Sequence, residues 1–130
     1  MCLQNISTGG PLEEKVGYFR TVRVGNANHV SGTTGFAPDG NMVLDDVYGQ
    51  TQKIVKNIVA TLEEAGAGAK DVVRTEIYVT DIADADDVNK AHSQVFGNIR
   101  PASTLVAASD LVAPEMKVEI EAYANLSGDA

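Results

Sequence analysis

The sequence has little cysteine, few basic residues and no long apolar run, and each scarcity excludes a class of protein. Its one cysteine, Cys2, cannot form an internal disulfide, and nothing nearby in the sequence would activate it as a nucleophile. Ten basic residues against eighteen acidic ones give a formal net charge of −8 at pH 7, which disfavours binding to nucleic acid. No apolar stretch approaches the roughly 20 residues that cross a bilayer, and no secretory signal is visible. We therefore expect a cytoplasmic protein that contacts neither nucleic acid nor membrane.

Metal-binding and cofactor-binding patterns are equally scarce. The two histidines, His29 and His92, stand at ligand spacing neither from each other nor from Cys2. The glycine-rich residues 66–70 lack the ending of a phosphate-binding loop and precede a predicted strand rather than a helix. The sequence thus predicts no metal and no cofactor.

The 130 residues, of which 44% are hydrophobic, suffice for one compact domain. Residues 1–15 are polar and contain glycine and proline, so we expect a flexible N-terminal arm there and a single domain over residues 16–130. Residues 18–24 and 29–31 are typical of two strands joined at a Gly25-Asn26 turn.

Two helices and three further strands follow. The first helix is predicted to begin after Asp45 or Asp46 and to end at Gly66, with one apolar face. The second spans about residues 84–96, and its predicted inner side carries Val88, Ala91, Val95 and Phe96. Strands are predicted at residues 72–80, 103–108 and 116–124. In the first of these, Val73, Ile77 and Val79 share one face.

The predicted order, ββαβαββ, is an α+β fold in which both helices cover one face of a sheet. The other face would carry charged residues and tyrosines together. Such a mixture favours a subunit contact in a homo-oligomer, although an antiparallel sheet can also expose a polar face to water. The residues in question are Arg74, Glu76, Tyr78, Glu119, Glu121 and Tyr123.

Several motifs in a fixed order resemble those of one family. They are VSG at residues 30–32, QTQKIVKNIVATLEEAGAGAKDVVRTEIYVTDI at 50–82, DVN at 87–89, RPASTLV at 100–106 and VEIEAYA at 118–124. Over about residues 16–124 the chain resembles the Rid family, also called the YjgF or L-PSP family. The resemblance implies a chorismate-mutase-like fold and a homotrimer in which three sheets form an inner barrel.

The resemblance also implies an activity and a site. Family members hydrolyse reactive enamines and imines, such as 2-aminoacrylate and 2-imino acids, to 2-oxo acids and ammonia in clefts between subunits. By the family pattern, Glu119 would position the attacking water as the catalytic residue, and Tyr18, Ser31, Gly32 and Asn89 would shape the cleft. Considered without the resemblance, each of these residues has an ordinary structural explanation.

The sequence departs from the family pattern at the residue that binds the substrate carboxylate. Family deaminases have an arginine directly after Pro-Ala, where this chain has Ser103, and Leu105 replaces a small side chain two places later. Losing a bidentate guanidinium contact would weaken binding by roughly 10- to 150-fold. We hypothesise that Arg20, which shares strand parity with Tyr18, or Arg100 supplies the contact with the anion. The alternative is that both are surface arginines.

Three functions therefore remain open: an enamine or imine deaminase, a non-catalytic trimer that binds or senses a small organic acid, and a ribonuclease or translation inhibitor. Glu119 favours the first and Ser103 the second. The acidic surface and the lack of a histidine or lysine acid–base pair place the third last.

Overall fold

The computed structural model describes residues 3–37, 39, 41–42 and 46–126. In this part of the chain, six strands form one sheet and two α-helices pack beside it. The strands are β1 (Leu3–Ile6), β2 (Thr21–Val24), β3 (Ala27–Thr33), β4 (Val72–Val79), β5 (Ala102–Ala107) and β6 (Val118–Asn125), and the helices are α1 (Val47–Glu64) and α2 (Ala85–Phe96). The strand order across the sheet is β1-β2-β3-β6-β4-β5, and only β4 and β5 pair in parallel among these strands.

This architecture confirms the predicted α+β fold and adds one strand to it. Strand β1 lies in the segment expected to be an arm, and it pairs antiparallel with β2 through Leu3 and Val24 at one end and Ile6 and Thr21 at the other. Only Ile6 of β1 is buried, so the strand has no apolar alternation that would have revealed it. The predicted order of elements along the chain, ββαβαββ, is therefore corrected to βββαβαββ. The domain boundary at residue 16 stays a prediction. Cys2 lies outside the described residues.

Helix α1 has the ends that its sequence predicts. The side chain of Asp46 caps it by accepting a hydrogen bond from the Gly49 N–H at 2.9 Å; Asp45 lies outside the described residues. At the other end, Gly66 has φ of +85°, and the Ala67 N–H donates to the Leu62 carbonyl at 2.8 Å. A left-handed glycine with this hydrogen bond is the Schellman ending of a helix.

The core lies between the helices and one face of the sheet. Its members alternate along β6, where Val118, Ile120 and Ala122 are fully buried, and they face apolar residues of α1 and α2. Two inward assignments are wrong. Val95 of α2 is 39% exposed because it lies off the buried stripe of the helix, which holds Val88, Ala91 and Phe96. Val73 is 50% exposed because an irregularity after Val72 shifts the pairing of β4 with β6, so that Val72 is buried instead.

The opposite face of the sheet is not covered by another element of this chain among the described residues. There Arg74 contacts Glu76 at 3.0 Å, and the Tyr78 hydroxyl donates to Glu121 Oε1 at 2.7 Å and to Glu76 Oε2 at 3.3 Å. The Tyr123 ring meets the His29 ring edge-on. Charged and aromatic side chains thus form one connected network on this open face, as the alternation predicts. No helix in the described part of the chain is long and apolar enough to cross a membrane.

Candidate functional site

A β-bulge in β3 carries two of the predicted site residues. Ser31 and Gly32 of β3 together lie opposite a single residue of β6, Glu121. The Ser31 hydroxyl donates to the Phe19 carbonyl at 2.8 Å, and the Ser31 N–H donates to the Arg20 carbonyl at 3.0 Å. Bulges redirect side chains and commonly occur next to active sites. Here the bulge joins β3 to the segment that contains Tyr18 and Arg20.

Gly32 leaves space for the Glu119 carboxylate. A Cβ atom built at residue 32 would lie 2.0 Å from Glu119 Oε2, far inside van der Waals contact. Any side chain at residue 32 would therefore displace the carboxylate. This close approach gives a structural reason for glycine in the VSG motif.

Arg20 and Tyr18 complete this first group of site residues. Arg20 Nη1 donates to the Gly32 carbonyl at 2.8 Å and to Thr33 Oγ1 at 3.1 Å. The Arg20 guanidinium also lies 5.4 Å from the centroid of the Tyr18 ring, a cation–π distance. Arg20 and Tyr18 thus lie together as predicted, but the predicted strand over residues 18–24 is too long, because both residues precede β2, which begins at Thr21. We call Tyr18, Arg20, Ser31, Gly32 and Glu119 the bulge group.

The surroundings of Glu119 in the bulge group stabilise its protonated form relative to that of a glutamate exposed to water. Burial raises the pKa of the Glu119 carboxyl, Arg20 lowers it and Glu121 raises it, with a net upward shift. A carboxylate whose pKa moves toward neutral pH becomes a stronger base. Glu119 can thus accept a proton from water more readily than an exposed glutamate.

The remaining predicted site residues form a second group elsewhere. Ser103 and Leu105 lie on β5 at the edge of the sheet, paired with Thr75 and Ile77 on the helix-covered face. Glu119 lies opposite Tyr78 on the open face. Within one chain, the two groups therefore occupy different faces of the sheet and are separated by β4.

We call Ser103, Leu105, Asn89 and Arg100 the edge group, because they lie on β5, on α2 and in the turn that joins α2 to β5. Asn89 is exposed on α2, and Arg100 is exposed in the turn between α2 and β5. Arg100 adopts φ of +58°, and its N–H donates to the Phe96 carbonyl at 2.8 Å. The structure thus places one candidate arginine in each group.

Sequence reasoning missed Thr75, which contacts Ser103, and His92, which contacts Thr75. The Thr75 hydroxyl donates to Ser103 Oγ at 2.8 Å and lies 2.9 Å from His92 Nε2. The available signal was Thr75 itself, a polar residue among the buried positions of β4.

A buried carboxylate in the predicted arm was also missed. Glu13 is 6% exposed and accepts hydrogen bonds from Ser7 Oγ at 2.8 Å and Thr8 Oγ1 at 2.6 Å. Burial raises the pKa of Glu13, but the bonds from Thr8 and Ser7 and from backbone N–H groups outweigh it, so the net pKa is lowered. Glu13 borders an open hollow of about 270 Å³ that Tyr18 and Phe19 also line. The segment before residue 16 thus reaches the bulge group.

Among the described residues, no cluster of three or more histidine, cysteine, aspartate or glutamate side chains could hold a metal ion. The expectation that the protein uses neither a metal nor a cofactor stays a prediction.

The fold and these two groups define a small α+β protein with a mixed six-stranded sheet and a half-buried carboxylate beside a β-bulge. Residues 11–126 match the family model described as Endoribonuclease L-PSP. The chain therefore belongs to the L-PSP family, also called the Rid or YjgF family, as the motifs indicated.

Similar proteins cover nearly the whole chain. The crystal structure of a YjgF/YER057c/UK114 family member from Mycobacterium tuberculosis is 42% identical, with a TM-score of 0.89 over 96% of this chain and 100% of that one. A RutC family protein from Pyrococcus abyssi is 37% identical over 82% of this chain and 84% of its own length. The chloroplastic Reactive Intermediate Deaminase A of Arabidopsis thaliana is 35% identical over 84% of this chain and 58% of its own length.

Proposed function

We propose that this protein hydrolyses reactive enamines and imines, such as 2-aminoacrylate and 2-imino acids, to 2-oxo acids and ammonia. The observation that carries the proposal is the Glu119 carboxylate, which is half-buried against Gly32, has a raised pKa and lies in the field of Arg20. The name of the Arabidopsis relative supports the same class of reaction.

In the proposed reaction, Glu119 accepts a proton from a water molecule as the water oxygen bonds to the imine carbon. The imine nitrogen takes up a proton from solvent, so that the intermediate carries a hydroxyl and an amine on one carbon. That intermediate loses ammonia when its C–N bond breaks, and the hydroxyl releases its proton to solvent as it becomes the carbonyl of the 2-oxo acid. Glu119 returns its proton to the nitrogen and is regenerated.

Arg20 is the better placed of the two candidate arginines for the substrate carboxylate. Its contacts with Gly32 and Thr33 use Nη1 and, among the described residues, leave the Nε and Nη2 groups to bind an anion. It also lies in the same group as Glu119, whereas Arg100 lies in the edge group. We therefore propose that Arg20 holds the carboxylate while Glu119 acts on water.

The two groups would form one site only if a second copy of the chain contributed to it. We propose a homotrimer in which the bulge group of one subunit faces the edge group of its neighbour across a cleft. Light scattering should then report the mass of three 13.7 kDa chains. A monomer at working concentration would contradict the shared cleft.

An imine-hydrolysis assay tests the activity. An amino-acid oxidase generates several 2-imino acids, and semicarbazide trapping follows their disappearance. We expect turnover by the wild type and a decrease of about 10²- to 10⁴-fold in Glu119→Gln, because the general base is lost. Glu63→Gln removes the same charge from the exposed end of α1 and should retain wild-type turnover.

Ser103 supports a second candidate function, a trimer that binds or senses a small organic acid without turnover. A neutral hydroxyl holds a carboxylate less strongly than a guanidinium does. If the wild type is inactive and Ser103→Arg gains activity in the same assay, the binding function is favoured. Ribonuclease activity remains the least favoured, since a net charge of −8 opposes RNA binding. We also propose a cytoplasmic location and no contact with membranes.

A further inference from the structure

Three polar side chains form a hydrogen-bonded series that runs from α2 along the helix-covered face of the sheet to its edge. Thr75 Oγ1 lies 2.9 Å from His92 Nε2 and 2.8 Å from Ser103 Oγ. Thr75 is fully buried and His92 is half-buried, whereas Ser103 is exposed. These two hydrogen bonds therefore connect a partly buried imidazole to a hydroxyl on the surface.

The direction of the hydrogen bonds follows from the number of protons available. A threonine hydroxyl has one hydrogen, and Thr75 donates it to Ser103. Thr75 Oγ1 must then accept from His92, so the imidazole carries its proton on Nε2. Burial lowers the pKa of His92, which favours the neutral ring with a single N–H at neutral pH.

This direction determines what Ser103 can offer. Its oxygen already accepts the Thr75 hydrogen, so its own hydrogen is directed to another acceptor. Because Ser103 is exposed on an edge strand, that acceptor can come from outside the chain. Hydrogen bonds in a chain polarise one another, so the Ser103 hydroxyl becomes a better donor than an isolated serine.

We propose that His92 and Thr75 are positioning residues that hold the Ser103 hydroxyl as an outward hydrogen-bond donor to an oxygen atom of the bound organic acid. The inference rests on the proposed function, because it takes Ser103 as part of the ligand cleft. It assigns to His92 and Thr75 a role in ligand binding that acts only through Ser103.

The first test examines the hydrogen bonds between His92, Thr75 and Ser103 in the protein without any ligand. The ¹⁵N chemical shifts of the two ring nitrogens of His92 report its tautomer by NMR. We expect the proton on Nε2, and Thr75→Val should shift the Nε2 resonance. A proton on Nδ1 would reverse the hydrogen bonds and overturn the proposal, whatever the activity of the protein.

The second test measures the affinity of the 130-residue chain for pyruvate, a 2-oxo acid, by calorimetry. Ser103→Ala and Thr75→Val should each weaken binding by about 3- to 10-fold, the effect of one hydrogen bond. Thr75→Ser keeps a hydroxyl and should restore affinity. Thr61→Val is the matched control, because Thr61 is also a buried threonine with a hydroxyl bond, to Thr21 at 2.8 Å, and should leave affinity unchanged.

The double variant separates positioning from mere support of the fold. If Thr75 acts through Ser103, adding Thr75→Val to Ser103→Ala should cause no further loss of affinity. A further loss of equal size would mean that Thr75 acts independently, and the proposal would be wrong.

Failure of this inference can be distinguished from failure of the proposed function. Turnover that depends on Glu119, with pyruvate affinity unchanged in both Ser103→Ala and Thr75→Val, would overturn the inference alone. A wild type that neither binds pyruvate nor hydrolyses any imine would contradict the proposed function, and the inference with it.

Discussion

Different interactions stabilise the two faces of the sheet, although the same strands form both. On the helix-covered face, β6 contributes Val118 and Ile120, neither of which has any exposed surface. On the open face, the same strand contributes Glu119 and Glu121, which are half-buried and interact with Arg20 and Tyr78. Transfer of apolar surface from water stabilises the first face, whereas directional hydrogen bonds and charges organise the second.

Within β6, the residues that stabilise the fold are therefore different from the residues of the candidate site. Apolar contacts are not directional, so the covered face tolerates small adjustments as long as volume is conserved. In the bulge group, by contrast, a Cβ atom at residue 32 would lie only 2.0 Å from Glu119 Oε2, and Arg20 bonds the Gly32 carbonyl at 2.8 Å, so small displacements alter these contacts. We therefore expect mutations on the covered face to affect mainly unfolding, and mutations in the bulge group to affect mainly the site.

The largest effect on stability should come from the covered face. Ile120→Ala removes a fully buried side chain and should lower the free energy of unfolding by about 2–5 kcal/mol, because a cavity remains. Urea unfolding at a fixed protein concentration measures it. Val112→Ala, at a residue that is 80% exposed, is the control and should stay within about 0.5 kcal/mol of wild type. If Ile120→Ala and Val112→Ala lowered the free energy of unfolding equally, burial on the covered face would not be the source of stability.

Gly32→Ala should produce the next largest effect and disturb the site as well. The added Cβ would lie 2.0 Å from Glu119 Oε2, so the carboxylate must move. We expect a loss of about 1–3 kcal/mol in unfolding free energy, as in other overpacked sites, together with a loss of imine hydrolysis. Adding Glu119→Ala should restore most of the stability and none of the activity. If stability is not restored, the clash is with another group.

Tyr78→Phe tests the hydrogen-bonded network of the open face. It removes the hydroxyl that donates to Glu121 and Glu76, and should lower the unfolding free energy by about 0.5–1.5 kcal/mol. The hydrogen bond to Glu121, followed by burial and by the charges of Glu121 and Glu76, raises the pKa of Tyr78. Burial, followed by the charges of Glu121 and Glu76, also raises the pKa of Tyr123. A spectrophotometric titration should therefore show tyrosines of the wild type ionising above the ordinary range, and Tyr78→Phe should show one fewer of them. Ionisation of all tyrosines in the ordinary range would contradict the network.

Glu119→Gln should produce the smallest effect on stability, with a characteristic dependence on pH. Because the pKa of Glu119 is raised in the folded chain, its ionised form is less stable there than in the unfolded chain. This penalty is absent below the unfolded pKa of about 4.3 and develops as the pH rises through the raised value. Urea unfolding between about pH 4 and about pH 7 should show the variant gaining stability relative to wild type. A difference that is constant or decreases with pH would indicate that Arg20 outweighs burial.

The elements with strong periodicity could be predicted from the sequence almost to the residue. Helix α1 runs from its Asp46 cap to a left-handed Gly66, as local signals indicated. Strand β1 was missed because only Ile6 in it is buried, and Val73 was misassigned because the irregularity in β4 has no local signature. The role of Glu119 could be predicted only through the family motifs, since a glutamate in an alternating strand is otherwise ordinary.

The sequence by itself determined the helices, most of the strands and the side of the sheet that most strand residues face, because these depend on the spacing of apolar residues along the chain. Only the tertiary structure decided that Gly32 lies under Glu119, that Arg20 lies beside them, and that Thr75 links His92 to Ser103. Those contacts join residues that are at least 12 positions apart, and Gly32 and Glu119 are 87 positions apart. They depend on strand register and on a bulge, which long-range pairing determines and local preference does not.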